Sequence, residues 1–436
     1  MSILKKIKSA GVVGAGGAGF PTHVKLDCQA EYLIASGAEC EPLLRVDQQL
    51  MDIHAEEVVE GLSLSMKQVG AKNGIIFLKA HYHKAAEALQ QQIKRKKNIR
   101  LHLCESYYPA GDEQQAIFEV TGRVVPPGGL PKDVGCVVIN VATLADISRS
   151  VKDIPVTQRY ITVAGAVKKP CTLRVPLGAP METLVELAGG AATSNCAYIV
   201  GGPCMGELID TLEGQVVTKT TSGLLVIPAN HPLVAKKASE IRIKQMMSVC
   251  CQCNMCTLMC PRYALGQGTS PHKAMRSIIS NTDLLGDVNS ILTCCECGLC
   301  TYQACGMDLN PALIMKRMKK EMISAGLKAN PSSAREPDRH IAYKRLSSSR
   351  LIARLGLKQY DLPAPIDPNT QRVLAVKIPL KMHIGAAAVP VVKSGELVTC
   401  EALIAQMPPG ALGADIHASI DGTVTEVTEK YIEIRG

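Results

Sequence analysis

Ten of the eighteen cysteines crowd into two short runs, one between residues 250 and 260 and one between residues 294 and 305. The first reads Cys250-x2-Cys253-x2-Cys256-x3-Cys260-Pro261, the second Cys294-x2-Cys297-x2-Cys300-x4-Cys305. A disulfide framework would spread its cysteines through a small secreted domain, whereas dense local spacing points to metal. Three thiolates two residues apart wrap a short loop around one [4Fe–4S] cubane, while the fourth is carried away to a second cubane. Crossed ligation then gives one cluster Cys250, Cys253, Cys256 and Cys305, and the other Cys294, Cys297, Cys300 and Cys260. The second run is one residue longer before its last cysteine and lacks the following proline, so spacing defines Cys305 least. Zinc is the competing metal, but the third and fourth cysteines of each run exceed its usual two-plus-two arrangement. Cys251 and Cys295 each follow a first ligand, point away from the cubane and read as supporting residues. Two such clusters would pass electrons one at a time.

A second group able to do chemistry is glycine-rich. Gly14-Ala15-Gly16-Gly17-Ala18-Gly19 satisfies G-x-G-x-x-G, with Glu39 downstream at about the spacing of a dinucleotide fingerprint. Such a fingerprint needs a strand running into the glycines and a helix running out. Here only Val12 and Val13 precede them, and Phe20-Pro21-Thr22 follows. The bare backbone either approaches a flat or phosphorylated ligand or forms a tight turn without one. Spacing alone leaves both readings open.

The elements that must position these groups divide the chain. Residues 1–150 alternate strands (Tyr32–Ala35, Gly74–Leu78, Ile99–Cys104, Val134–Val141) with helices at 47–70 and 82–97, as an α/β domain does. The basic stretch Lys94–Lys97 is read as a solvated helix end. Residues 155–235 form a small α+β unit, with strands in 157–175 and 224–227, a helix at Met181–Ala188 and a Gly201-Gly202-Pro203 turn. Residues 240–327 hold the cysteine runs, with helical spacing over Lys273–Leu285 and Pro311–Leu327. Residues 328–369 are rich in Ser, Pro and Arg and read as an extended basic linker with a short helix near Leu346–Leu355. From residue 370 to 436 short strands return, broken by Gly385, Gly395, Pro408-Pro409-Gly410 and Asp421-Gly422.

Composition bounds the function classes. A chain of 436 residues, 47% apolar, can fill three or four cores, and with three Phe and no Trp those cores rest on aliphatic residues. The net charge of +9 suits nucleotides, phosphate-bearing cofactors or acidic proteins, while the scarcity of aromatics disfavours nucleic acid. The N-terminus has lysines but no apolar h-region, and no apolar run approaches a membrane span of about 20 residues. A reducing cytoplasm is the expected setting.

The segments Gly14–Lys25, Tyr32–Pro42, Tyr108–Glu113 and Asn140–Thr143 together resemble the FMN-bearing subunit of respiratory complex I, and more closely the C subunit of the Rnf electron-transport complex. That resemblance implies a Rossmann-like flavin and NADH domain, in which Gly14, Gly16, Gly17, Gly19 and Lys25 cradle the FMN phosphate side or the nucleotide. It places Glu39, Glu41, Gly111, Glu113 and Asn140 around the pocket. Ala15, Ser36 and Ala38 depart from the Arg, Asn and Asp of the complex I pattern. Residues 155–235, including Gly201–Gly206, resemble the β-grasp (SLBB) module of the same families. His383–Gly385, Val391–Gly395 and His417–Val424 resemble a lipoyl-like barrel-sandwich hybrid that lacks a carrier lysine and is therefore structural or docking.

The whole order, α/β and α+β domains followed by a helical two-cluster ferredoxin-like domain and the barrel-sandwich, is similar to the corrinoid (cobalamin) reductases of propanediol-utilisation microcompartments. The resemblance implies NADH oxidation by FMN and single-electron delivery to cob(III)alamin and on to cob(I)alamin, for use by an adenosyltransferase. It implies a cytoplasmic protein housed with shell proteins in a bacterial microcompartment. No acid–base residue is required. The alternatives are an Rnf-type subunit feeding a membrane ion pump and a flavin-less electron relay.

Overall fold

Residues that are apolar in unbroken runs build the first sheet, as expected of parallel strands covered on both faces. The computed structural model describes residues 2–280, 288–330 and 335–436. Its first unit carries four parallel strands in the spatial order Ile99–Cys104, Asn73–Lys79, Tyr32–Ser36 and Cys136–Asn140. The chain builds outward through three strands and then returns to the other side of the first. That reversal opens a crevice at the carboxyl ends of Tyr32–Ser36 and Cys136–Asn140, the place where such sheets bind ligands.

Three expected elements differ from their patterns. The helix expected over 47–70 is two, Val46–Ile53 and Ala55–Val69, divided at His54, whose ring nitrogen lies 2.9 Å from the Tyr160 hydroxyl. The strand expected over Val134–Val141 stops at Asn140, because the Asn140 side chain accepts the Ala142 amide at 2.9 Å and caps the helix Val141–Ser150. That helix lies against Ala55–Val69 at Gly61, where a Cβ would stand 1.9 Å from the Leu144 carbonyl oxygen. The helix expected over 82–97 ends at Ile93, which leaves Lys94–Lys97 beyond it.

The middle unit is a six-stranded sheet, ordered Ile366–Thr370, Cys171–Pro176, Gln158–Gly165, Gly223–Pro228, Cys196–Val200 and Glu207–Ile209. The cysteine unit packs helices Ile243–Val249, Pro271–Ser280 and Pro311–Ser324 around Met246, Met275, Ile291, Ile314 and Met315. Residues 281–285 of the expected Lys273–Leu285 helix lie outside the described residues. The last unit is two small antiparallel sheets between Ala375 and Arg435.

The extended linker expected over 328–369 is instead, from Leu346 onward, a structured strap. Leu346–Ser347 pairs antiparallel with Tyr107–Tyr108, and Ile366–Thr370 adds a parallel edge strand to Cys171–Pro176. Between them the helix Ser348–Arg354 turns Leu351 and Ile352 into a core shared with Tyr108, Leu225 and Leu299. Ser and Arg dominate the composition because they coat the outer face; the few leucines carry the packing.

Lys219 joins three units. Its side chain is fully buried, and its Nζ donates to the Gly11 and Asp415 carbonyl oxygens, each at 2.7 Å. Burial, with the Arg159 charge adding to it, brings Lys219 from 10.5 down to about 7. The unfolded chain therefore binds the extra proton between those two values, and stability rises with pH across that window. Lys219→Met has nothing to titrate there. It is expected to flatten the rise, measured as the thermal midpoint of both proteins from about pH 7 to 10.

Candidate functional site

Strand register sets the crevice. Ser36 and Asn140 are partners at the ends of adjacent parallel strands, and the chain after Ser36 carries Glu39. The Asn140 Nδ2 donates to Asp47 Oδ2 at 2.8 Å, and the Asp47 amide donates to Glu39 Oε2 at 3.3 Å. Burial pushes both carboxyls up, Asp47 to about 7 and Glu39 well above its ordinary value, where the neighbouring Asp47 charge adds to the effect. Buried Lys79 at the end of its strand is pushed down by burial.

The glycine segment is a hairpin, not a strand-to-helix turn. Val13 bridges Pro21, and the Gly14 amide donates to the Phe20 carbonyl at 3.0 Å. Its tip sits over the capped helix: the Ala15 amide donates to Thr143 Oγ1 at 2.9 Å, and a Cβ on Gly16 would lie 2.9 Å from Asn140 Nδ2. Gly17 is open, with no atom within 4 Å of where its Cβ would be. Gly19, in left-handed backbone at φ +70°, instead faces Thr220 and His383. Gly111 packs on the Ala38 carbonyl oxygen behind the crevice. Lys25 and Glu113 form an ion pair with each other, both partly exposed.

Glu41 goes elsewhere than the sequence suggests. Its carboxylate leaves the Glu39–Asp47–Asn140 group and accepts the amides of Cys204 at 2.8 Å and Met205 at 3.2 Å, in the Gly201–Gly206 turn. The Tyr108 hydroxyl lies 3.1 Å from Glu41 Oε1 and 2.7 Å from the Cys297 carbonyl oxygen. The phenolic hydrogen is shared between these two acceptors. Burial raises the Glu41 carboxyl, opposed by the Cys204 and Met205 amides and the Tyr108 hydroxyl that bond to it. Nearby, Gln115 Nε2 donates to the Pro261 carbonyl at 3.0 Å, and Arg262 pairs with Asp112. Three units therefore meet around one tyrosine.

The cysteines fall into two crossed groups. The thiols acting on Cys256 are those of Cys305, Cys253 and Cys250, while those acting on Cys260 are Cys294 and Cys295, so the Cys295 side chain, expected to point away, instead lies with this group beside Cys297. Cys300 feels Cys294 and Cys260 before Cys256, so the two groups are neighbours. No three His, Cys, Asp or Glu side chains among the described residues converge on a point that would hold a single ion. The extra residue before Cys305 is taken up by a π-turn over Cys300–Ala304, which winds one more residue into the turn than an α-helix and returns Cys305 to Cys256.

The two runs also share a backbone pattern. Gln252 and Asn254 in the first, and Glu296 and Gly298 in the second, are left-handed at the same two offsets from the first cysteine. Left-handed residues placed this way turn amides inward into a concave nest for negative charge. The Glu296 amide already points at Cys294 Sγ, at 3.3 Å.

Sequence comparison follows the same divisions. The Nuo51 FMN-binding domain matches residues 7–149, the SLBB domain 160–206, the 4Fe–4S dicluster domain 249–310 and the RnfC barrel sandwich hybrid domain 364–435. The chain is 42% identical to cobalamin reductase PduS of Salmonella typhimurium, over 99% of its own length and 96% of that protein. The chain belongs to the PduS family. The PduS of Citrobacter freundii is equally similar, at 42% identity over 99% of this chain and 96% of that protein. The C subunit of the Na(+)-translocating ferredoxin:NAD(+) oxidoreductase complex of Acetobacterium woodii is 38% identical, over 60% of this chain and 58% of that protein.

As a PduS-family oxidoreductase with FMN-binding and 4Fe–4S domains, the chain can be tested for fit to both groups. The open Gly17 backbone at a sheet crevice suits a flat, phosphorylated flavin, and the amide nests around two thiol groups suit anionic cubanes. Asp47, Lys79, Thr143 and the bridging role of Tyr108 escape a reading by spacing. Of these only Thr143 leaves a signal, as the polar residue of the first turn that Asn140 caps. Tyr108→Phe removes the hydroxyl that links Glu41 to Cys297. The variant is expected to lose about 1–3 kcal/mol of stability, seen as a lower thermal midpoint at unchanged iron content.

Proposed function

We propose that this chain is an NADH-dependent flavin and iron–sulfur reductase that delivers single electrons to cobalamin. The observation that carries the reading is the Tyr108 hydroxyl 2.7 Å from the Cys297 carbonyl, which ties the crevice unit to a cysteine loop. The names of its full-length relatives supply the acceptor. Bound in these sites, FMN would take hydride from NADH and release its electrons singly, and two cubanes would carry them onward.

The chain's own part is binding, orientation and charge. Gly14, Gly16 and Gly17 present bare backbone to the flavin, and Gly19 and Gly111 set the hairpin and its floor. Glu39 and Asp47 offer acceptors for ribityl or ribose hydroxyls, with Asn140 holding Asp47 in place. Lys25 can exchange Glu113 for a phosphate. Cys250, Cys253, Cys256 and Cys305 hold one cubane, and Cys260, Cys294, Cys297 and Cys300 the other. No helix among the described residues is long and apolar enough to cross a membrane. Delivery to an adenosyltransferase inside a microcompartment, with shell proteins as neighbours, is the setting this reading implies.

Anaerobic purification followed by iron, sulfide and flavin assays tests the reading. About eight iron and eight sulfide with one FMN, all reduced by NADH, is the expected result. Zinc in place of iron, or clusters without flavin, would remove the enzyme assignment. Cys305→Ser is expected to lower the iron to about four per chain, while Cys251→Ser, at an exposed position, leaves it at about eight.

A further inference from the structure

The two thiol groups are not equivalent in their surroundings. The group with Cys260, Cys297 and Cys300 is buried against the crevice unit, through Tyr108 to Cys297, Gln115 to Pro261 and Arg262 to Asp112. The other group holds Cys253, which is exposed, and Cys305, which is partly exposed. On the proposed function, electrons entering at the crevice would meet the buried group first and leave by the other. The exit side needs a place for the acceptor.

A cleft of about 980 Å³ lies there, between the helices Pro232–Lys237, Ile243–Val249 and Ser348–Arg354, with Cys305 in its wall. Its volume is at the upper end for small-molecule sites, which run from about 300 to 1,000 Å³. The inner wall is apolar, from Leu309, Ile314 and Leu355, each buried. The rim is polar and mixed in charge, with the exposed Arg242, Gln245 and Arg354 beside Glu240 and Asp308, the latter paired with Lys236. Arg354 is only loosely engaged, its Nε donating to the Tyr302 carbonyl at 3.3 Å.

We propose that this cleft is the corrinoid docking site, an inference that rests on the proposed function. A corrin is a broad flat ring fringed with amides, and in cobalamin it carries a phosphodiester in its nucleotide loop. The apolar wall suits the ring face, Gln245 the amides, and Arg242 and Arg354 the phosphate. Cobalt then sits on the Cys305 side. Each transfer reduces one Co(III) to Co(II), and one NADH, becoming NAD+ and releasing one proton, supplies the two electrons for two cobalts.

The test is equilibrium dialysis of aquacobalamin against the anaerobically purified holoprotein and its Gln245→Trp and Arg354→Glu variants. Both side chains are exposed, and iron and flavin content verifies folding. Each variant is expected to bind aquacobalamin at least about tenfold more weakly, with a matching rise in KM, and that result supports the cleft. Unchanged binding in variants of a protein that still reduces aquacobalamin would overturn the cleft and leave the function standing. A wild-type protein that neither binds nor reduces aquacobalamin, or that gives electrons only to a protein acceptor, would overturn both.

Discussion

The Tyr108 hydroxyl sits where three units press together, with Glu41 on one side and the Cys297 carbonyl on the other. A buried polar group without a partner costs far more than a hydrogen bond gains, so this contact tolerates little rearrangement. The requirement is strict for electron transfer, whose rate falls steeply with distance. The Glu41 carboxylate holds the Gly201–Gly206 turn through two amides, the Tyr108 ring fills the core beneath, and the strap strand Leu346–Ser347 pairs with the backbone beside it. Each neighbour restrains the same atom from another direction. Sheet, SLBB domain and cysteine loops thereby keep one relative position without a disulfide among them.

The cysteine loops solve a different problem, that of holding strong negative charge inside protein. Left-handed backbone at Gln252, Asn254 and Glu296 is unfavourable by about 1–2 kcal/mol each for residues with side chains. The cost is offset when the inward-facing amides meet thiolate and sulfide. The π-turn at Cys300–Ala304 shows the same priority, since hydrogen-bond regularity yields to the placement of Cys305.

What could be read from the sequence depended on how local each constraint is. Cluster ligands must sit within a few residues of one another, so the cysteine runs of the 4Fe–4S dicluster domain declare themselves by spacing. The parallel strands were legible because burial on both faces leaves unbroken apolar runs such as Leu33-Ile34-Ala35. Glu39 and Glu41 are two residues apart and look alike in sequence. Only the approach of Gly202, with its missing side chain, decides that Glu41 turns to the SLBB domain. The strap was hidden for a related reason: its partners, Tyr107–Tyr108 and Cys171–Pro176, lie hundreds of residues away, and its composition reports the wetted face. Asp47 stands in the first turn of a helix, and nothing local in the sequence marks its bond to Asn140, 93 residues away.

Lys219 grips the barrel-sandwich domain by the Asp415 carbonyl and the first unit by that of Gly11, using in both cases an atom that every amino acid carries. Recognition of this kind reads the main chain, yet at Gly11, in left-handed backbone at φ +66° and with no room for a Cβ between the Asp415 carbonyl and Lys219 Nζ, it also fixes the residue. The barrel-sandwich domain can still change its surface, and the chemistry it offers to neighbours, without loosening its seat on the rest of the molecule.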